Sequence, residues 1–531
     1  MRTKPKDGGD TESVWLDTLT ARFDTTPESE TDVCVIGAGI AGLTIAYELL
    51  REGRRVVVLD DGPIGGGETA RTSAHLASAV DDHFYKIEDK FGETGARLVA
   101  ESHAAAVDYI ETISRDLDID CDFRRVDGFL FSPPGEAYDK SLDKELAAAK
   151  RAGLAVDKVP QAPLAFDTGP ALRFSRQAEF HPLRYLRGLA ESVVHRGGRI
   201  HTGAHVTAIE PGEPLRIVLE NGRHVLCRQA IDATNGALSS PLKLTIAQAA
   251  YRTYIVAFDI PAGSIPHALY WDTADVYHYI RVTSGEDGRE VLLVGGNDHR
   301  VGQGDPIKQW FELEAWGRKW FPQVGDVVAR WSGQVLEPAD MLAHIGKSPD
   351  IDHVFIVTGD SGNGLTHGTI AGLMLPSLMR GESHPWAGIY DPKRSHLHAL
   401  GALVSEAARS SAPYTDWLRG GDVSSIDEIQ PGNGAVVRKG LHLIAAYRDE
   451  AGVCHMRSAT CPHLRGAVHW NAGEKTWDCP CHGSRFDAYG RVLNGPAAKD
   501  LATIEEPPKP KHDKREDTQR TPIQAEQRDR R

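Results

Sequence analysis

Cys461-Pro462-His463 and Cys479-Pro480-Cys481-His482 set two thiols and two imidazoles in short loops, with 15 residues between His463 and Cys479. Thiolates and neutral imidazoles are lone-pair donors for borderline metals. The set suits one tetrahedral zinc, or an iron–sulfur cluster whose two irons are held by unlike pairs. The C-x-H loop is too short for an ordinary zinc-finger hairpin, which favours the cluster. Of seven cysteines only Cys34, Cys121 and Cys227 lie far from this stretch, and so few in so long a chain make no disulfide scaffold. A second constellation lies near the other end. Gly37, Gly39 and Gly42 form G-x-G-x-x-G between the apolar run VCVIGAG and the helical pattern IAGLTIAYELLREG, and Asp60 ends the next run, RRVVVLD. Gly37 permits a tight turn, Gly39 lets the backbone approach a pyrophosphate, and Gly42 lets helix pack on strand. The helix N-terminus offers free N–H groups to the anion, and Asp60 would accept from a ribose hydroxyl. This is a βαβ dinucleotide site, and its motif alone does not choose between FAD and NAD.

Other segments make that choice by resemblance. GPIGGGETARTSAHL, just after Asp60, resembles the extended FAD signature of the D-amino-acid oxidase-like flavoproteins of glycine oxidase and sarcosine oxidase type. The resemblance implies that Thr69 and Arg71 stand near the FAD phosphates. Val206 in HVTAIE resembles the family's adenine-contacting backbone position, and IDATNG its strand end. TGDSGNGLTHGTIAG resembles its late motif, which would bring Gly359, Gly364, Leu365 and Thr366 to the flavin. There the helix N-terminus would stabilise negative charge at flavin N1 and C2=O. The likeness covers about 32–390. Asp60 replaces the commoner Glu, and Thr72, Ser73 and His75 replace a commoner Asn and Gly. CPCHGSRFD and Gly495-Pro496-Ala497 resemble a Rieske [2Fe-2S] domain, implying Cys461 and Cys479 on one iron and His463 and His482 on the other. Respiratory Rieske proteins join an extra cysteine from each loop; here Cys481 occupies one position and Gly466 the other, so no such bridge forms. Ser484 keeps a hydroxyl for the cluster sulfur, but Phe486 stands where high-potential members have a Tyr. Fewer donors imply a potential in the lower part of the range, about −150 to +100 mV.

The elements that must position these residues follow from pattern and length. At 531 residues two or three domains are expected. The fold class expected is an α/β, Rossmann-like FAD-binding domain of glutathione-reductase-2 type with a β-rich substrate region, plus a small all-β Rieske domain. Residues 1–30 read as an N-terminal extension with Trp15 and Leu16 docking on the body, and 31–395 as the FAD-dependent oxidoreductase domain. Its substrate region is placed at about 245–340, and helical patterns such as GARLVAESHAAAVDYIETISRDL and SLDKELAAAKRAG read as a cap or insertion. A helical connector at 396–420, the Rieske domain at 421–508 and a disordered tail at 509–531 complete the map. Seventy-four acidic against 60 basic residues, a net charge of −14, would repel a phosphate backbone, so nucleic acid is not an expected partner. No window is long and apolar enough for a membrane span, and MRTKPKDGGDTESVW lacks a signal-peptide core. A cytoplasmic protein is expected.

Tyr277, Tyr279 and Arg281 fall on a probable strand of the substrate region, where the family often holds a substrate carboxylate with Tyr and Arg. Arg281 and Tyr279 are therefore candidate substrate residues, against a surface ion pair for Arg281. His75 is a candidate base or flavin attachment point, against a structural His; His344 and His367 are weaker candidates. Together these readings imply an FAD-dependent oxidoreductase. It would oxidise a small amine or amino-acid-like substrate and pass electrons through the cluster to or from an external redox partner. The alternative is an NAD(P)H-dependent reductase feeding electrons through FAD and the Rieske cluster to an acceptor protein. That needs a second G-x-G-x-x-G unit, and none is found. An aromatic-ring oxygenase would need a mononuclear iron segment, also not found. A bare electron carrier would differ only in lacking turnover.

Overall fold

The computed structural model describes residues 9–16, 29–236, 238–239, 244–245, 247–285, 288–394, 417, 420–440 and 442–504. The 396–420 connector, except Trp417 and Gly420, and the 509–531 tail lie outside the described residues, as does most of the N-terminal extension. Val33, Cys34, Val35 and Ile36 form an unbroken apolar run because their strand, Glu30–Ile36, is covered on both faces. It pairs in parallel with Val56–Asp60 on one side and His224–Asn235 on the other, and the Ile40–Arg51 helix makes the first crossover. Arg199–Thr202 and Val354–Thr358 continue the parallel order, and antiparallel His344–Lys347 closes one edge of an eight-stranded sheet. The Gly364–Met379 helix lies against Ile40–Arg51 at very short range. A Cβ on Gly372 would overlap Thr44 Cγ2, and one on Gly368 would sit 2.9 Å from Ile40 Cγ2. Glycine is needed there for the two helix N-termini to converge on one place.

A second, nine-stranded sheet supplies the substrate side. Five of its strands come from the expected stretch: Gln248–Ile260, Leu269–Asp272, His278–Ser284, Glu290–Arg300 and Val327–Pro338. Four more, His75–Leu76, Arg124–Phe131, Val156–Val159 and Ala171–Glu179, come from a region whose helices read as a cap. The helices Phe84–Asp116 and Ser141–Arg151 are present; the strands between them were obscured because RRVDGFLF and ALRFSRQAE break alternation with Arg, Asp and Gly. The parallel pairing of Leu269–Asp272 with Arg124–Phe131 welds the two stretches together. Tyr254, Phe258, Leu292 and Val294 pack beneath Trp310 and Leu313 of the Pro306–Trp320 helix.

The C-terminal unit is all-β, as expected: Asn433–Lys439, His442–Arg448 and Cys454–Ser458 form one small sheet, and His469–Asn471, Thr476–Asp478, Arg485–Asp487 and Val492–Asn494 another. Its core gathers Leu443, Tyr447, Trp477 and Phe486 around Cys461, Cys479 and Cys481. Among the described residues no helix is long and apolar enough to cross a membrane.

Candidate functional site

Gly37 takes φ +105°, and a Cβ there would stand 2.5 Å from the carbonyl oxygen of Ala233; one on Gly42 would overlap that of Gly37. The glycine turn is therefore as tight as the motif implies. Gly39 precedes the Ile40–Arg51 helix without a side-chain cap, and Asn363 does the same for Gly364–Met379. Both helix starts border one cavity of about 930 Å³, which leaves backbone donors at two points of its wall. Asp60 also borders it, while Oδ2 accepts from the Ala38 amide at 2.6 Å and Oδ1 from that of Gly62 at 2.8 Å. Thr69, Val206, Gly364 and Leu365 line the same space. Gly42, Gly359 and Thr366 stand behind the wall: Gly359, at φ +74°, tucks under Pro338, and Thr366 Oγ1 donates to the carbonyl of Asn363. A cavity of this size, bordered by two uncapped helix starts, fits a dinucleotide with room for a small second molecule.

The cysteine and histidine loops are two matching turns. The Cys461 amide donates to Gly466 and the Arg465 amide returns to Cys461; the Cys479 amide donates to Ser484 and the Gly483 amide returns to Cys479. These bonds hold Cys461 and Cys479 as buried neighbours. The His463 and His482 rings stand 5.2 Å apart and nearly perpendicular, at 88°. Burial, then the neighbouring His463, lowers His482 to about 4, so its imidazole is neutral, and its buried Nδ1 has no hydrogen-bond partner. Among the described residues no three or more His, Cys, Asp or Glu gather for a single ion. Two pairs suit a cluster with two protein ligands per iron. A Cβ on Gly466 would overlap Cys481 Sγ, so the two positions face each other across the loops, and none of the seven cysteines is in a disulfide.

A family profile described as FAD dependent oxidoreductase matches residues 32–378, and one described as Rieske [2Fe-2S] domain matches 420–505. The chain belongs to the FAD dependent oxidoreductase family and carries a Rieske [2Fe-2S] domain. YhfW of Bacillus subtilis (strain 168), named for a Rieske 2Fe-2S iron-sulfur protein, is 32% identical over 482 residues, covering 90% of this chain and 94% of YhfW. Gamma-glutamylputrescine oxidoreductase of Escherichia coli (strain K12) is 27% identical over 388 residues, 68% of this chain and 87% of that protein. Glycine oxidase from Geobacillus kaustophilus shares the fold at a TM-score of 0.59 and 17% identity, over 69% of this chain and all of that one. The enzyme thus uses FAD and a [2Fe-2S] cluster.

The FAD and Rieske domains meet through buried charge. Arg71 does line the cavity, but its guanidinium turns away: Nη1 donates to Ser332 O at 2.7 Å and to Glu474 Oε1 at 3.2 Å, and Nη2 to Thr11 O at 2.8 Å. Arg71 thus stands at the cavity as expected from the resemblance's position, while a carboxylate from the Rieske domain claims its guanidinium. Arg252 reaches the same Glu474 at 3.4 Å, and Ser332 Oγ donates to it as well. Burial opposes the charge on Glu474, yet Arg71, Arg252 and Arg485 outweigh it and hold the carboxyl at about 2. Thr11 and Asp10 of the N-terminal extension close over the same residue, and Trp15 is buried with its Nε1 donating to Thr72 O. On the cavity side, Glu68 accepts from the Gln334 amide at 2.7 Å and from Asn494 Nδ2 at 3.0 Å.

The expectation for Arg281 is corrected. It is fully buried and does not line the cavity; Nη1 donates to Ala74 O at 2.6 Å and lies 3.4 Å from Ser73 O and Phe180 O, while Glu179 stands 3.9 Å from Nε. It braces the backbone behind His75 and leaves no guanidinium for a substrate carboxylate. Tyr279 does face the cavity, with its hydroxyl 2.7 Å from Thr253 Oγ1. His75 also borders it, its Nδ1 2.9 Å from Ser73 Oγ. Burial, then Arg281, lowers His75 to about 3, so it is neutral. His367 lines the cavity with its ring against His103; His344 does not. Asp81, Asp298, Glu337 and Asp360 were missed: they come from separate strands and loops, and only the Asp81-Asp82 doublet after the FAD signature hinted at them.

Around the cluster, Ser484 Oγ accepts from the Ala497 amide at 3.0 Å and reaches Cys461, while Phe486 is fully buried beside the cysteines and offers no hydroxyl. Phe486→Tyr is expected to raise the cluster's reduction potential, since a donor to sulfur stabilises the reduced, more negative state. Ser484→Ala should lower it. An EPR-monitored redox titration of both variants checks the signs.

Proposed function

We propose that the enzyme oxidises a small amine at FAD and passes the electrons singly to the Rieske cluster of the same chain, from which an external acceptor draws them. One observation carries this reading: residues 492–498 of the Rieske domain form part of the wall of the FAD cavity. Gly236, at the end of an FAD-domain strand, is so close to Gly495 that a Cβ on it would lie 3.0 Å from the Gly495 carbonyl carbon. The proposed ligand His482 shares a small hollow with Gly236, Thr245, Gln248, Leu336 and Pro496. Gln334 borders the FAD cavity and donates through Nε2 to Gly483 O at 3.1 Å, one residue from His482. When bound, FAD accepts a hydride and the cluster accepts single electrons.

The chain's own residues supply the setting. Gly37, Gly39, Asp60, Thr69, Val206, Gly364 and Leu365 are the proposed FAD contacts, and Cys461, His463, Cys479 and His482 the proposed iron ligands. Ile255, Trp271 and Leu365 give the cavity apolar faces, while the Thr253 and Tyr279 hydroxyls orient what binds there. The similarity to gamma-glutamylputrescine oxidoreductase, whose name contains an amine, supports the choice of donor. The test is anaerobic titration of the holoenzyme with amines, amino acids and NAD(P)H, following flavin absorbance and the Rieske EPR signal together. An amine should bleach the flavin, and the signal of the reduced cluster should then grow. Reduction by NAD(P)H alone overturns the reading.

A further inference from the structure

The cavity is lined by an unusual group of acids. Asp298 on the Glu290–Arg300 strand, Glu337 on Val327–Pro338 and Asp81 from the loop after His75–Leu76 all line it. Tyr277 donates to Asp81 Oδ2 at 3.4 Å, and Thr253 bonds Asp298. Asp298 Oδ1 is sealed from solvent and has no hydrogen-bond partner. Arg71 and Lys86 are the Arg and Lys side chains lining the cavity among the described residues. Arg71 is held by Glu474, Ser332 and Thr11, and Lys86 acts on Asp82. Arg281 is sealed behind Ala74. The histidines His75, His83 and His367 are neutral, at about 3, 4 and 4, because burial disfavours their charged forms.

Among the described residues no Arg or Lys side chain of the lining is therefore left to offset the three carboxylates. Burial, followed by the other acids, raises Asp81 to about 7 and Glu337 to about 8, and burial raises Asp298 to about 6. Like charges sharing a desolvated wall oppose one another until a cation joins them. An α-amino acid would bring a further carboxylate into this wall with no guanidinium to meet it.

Resting on the amine reading above, we propose that the substrate is a diamine or polyamine without an α-carboxylate, whose second, non-reacting ammonium is held by Asp81, Asp298 and Glu337. In the reaction one C–H bond beside the other nitrogen breaks. One proton passes from the reacting ammonium to solvent, and the hydrogen leaves with two electrons as hydride to the flavin. The product imine takes up water and gives an aldehyde and ammonia. The two electrons leave in single steps to two one-electron acceptor molecules, and the proton of the transferred hydride is released to solvent.

The experiment is anaerobic reduction of the holoenzyme by 1,4-diaminobutane, spermidine, n-butylamine, glycine, sarcosine and L-proline, with half-saturating concentrations read from flavin bleaching. A diamine or polyamine is expected to half-saturate at least about tenfold below n-butylamine, with no bleaching by the three amino acids at the same concentrations. Asp298→Asn and Glu337→Gln should each raise the diamine value about tenfold or more and leave that of n-butylamine within about threefold. Binding of a non-oxidisable bis-quaternary diammonium, read as a perturbation of the oxidised flavin spectrum, should weaken in parallel. If the amino acids or n-butylamine reduce the flavin as well as the diamines do, or both variants leave diamine values unchanged, the substrate class is wrong while amine oxidation stands. If no amine reduces the flavin and NAD(P)H does, both readings fall.

Discussion

Glu474→Gln is expected to destabilise the docked enzyme by about 3–5 kcal/mol, the cost of leaving buried charges without their partner. Arg71 and Arg252 are both buried, and Arg252 Nε and Nη1 have no hydrogen-bond partner, so the Glu474 carboxylate is their principal compensation. Glutamine keeps the shape and removes the charge. The effect should appear as a lower thermal or urea midpoint and as slower cluster reduction after flavin reduction, because Glu474 anchors the Rieske loops to the FAD domain. The sign with pH is also set. The folded value of about 2 lies below the usual glutamate value of about 4.3, so the stabilisation is complete above about pH 4.3 and is lost as pH falls toward 2. The wild type should lose stability through that window more steeply than the variant. Equal midpoints and parallel acid profiles would show that the buried cluster does not hold the domains.

Gly42→Ala should strip the enzyme of flavin. The added methyl would overlap the carbonyl oxygen of Gly37, and backbone cannot step aside as a flexible side chain can. The Ile40–Arg51 helix must lift from its strand, carrying its free N–H groups away from the pyrophosphate. Overpacking of this kind costs about 1–3 kcal/mol, which corresponds to roughly a 5- to 150-fold weaker FAD if it falls wholly on the bound state. The measurement is the flavin-to-protein ratio of the purified variant and its Kd for FAD by fluorescence. Gly53→Ala, at an open turn where a Cβ meets nothing within 4 Å, is the control for a general loss of glycine. Full flavin occupancy in Gly42→Ala would remove the helix–strand contact from the account of binding.

What could be read from sequence was whatever depends on neighbours within a few residues. The glycine turn, Asp60 and the two cysteine–histidine loops are local geometry, and each stands where spacing placed it. The directions taken by the Arg71 and Arg281 guanidiniums were not legible in this way. Their positions were read correctly, but a guanidinium goes where its acceptors are, and those are set by chain folding: Glu474 lies 403 residues from Arg71, and Phe180 lies 101 from Arg281. The acidic wall was invisible for the same reason, since Asp81, Asp298 and Glu337 meet only once the nine-stranded sheet closes. The four strands drawn from 75–179 were hidden because partly buried strands with charged interruptions carry little alternation, whereas the adjoining helices carry strong periodicity.

The shared wall has one further consequence, for thermodynamic linkage. A cavity completed by residues 492–498 binds its dinucleotide best when the C-terminal domain is seated. Whatever binds the seated form more tightly also favours seating, by RT ln of the ratio of saturation terms. FAD and the Rieske domain are therefore expected to act as each other's effector. Freeing one lowers the affinity for the other by the same factor, and a chain cut before residue 420 should be recovered as a pale protein even though its glycine turn is intact.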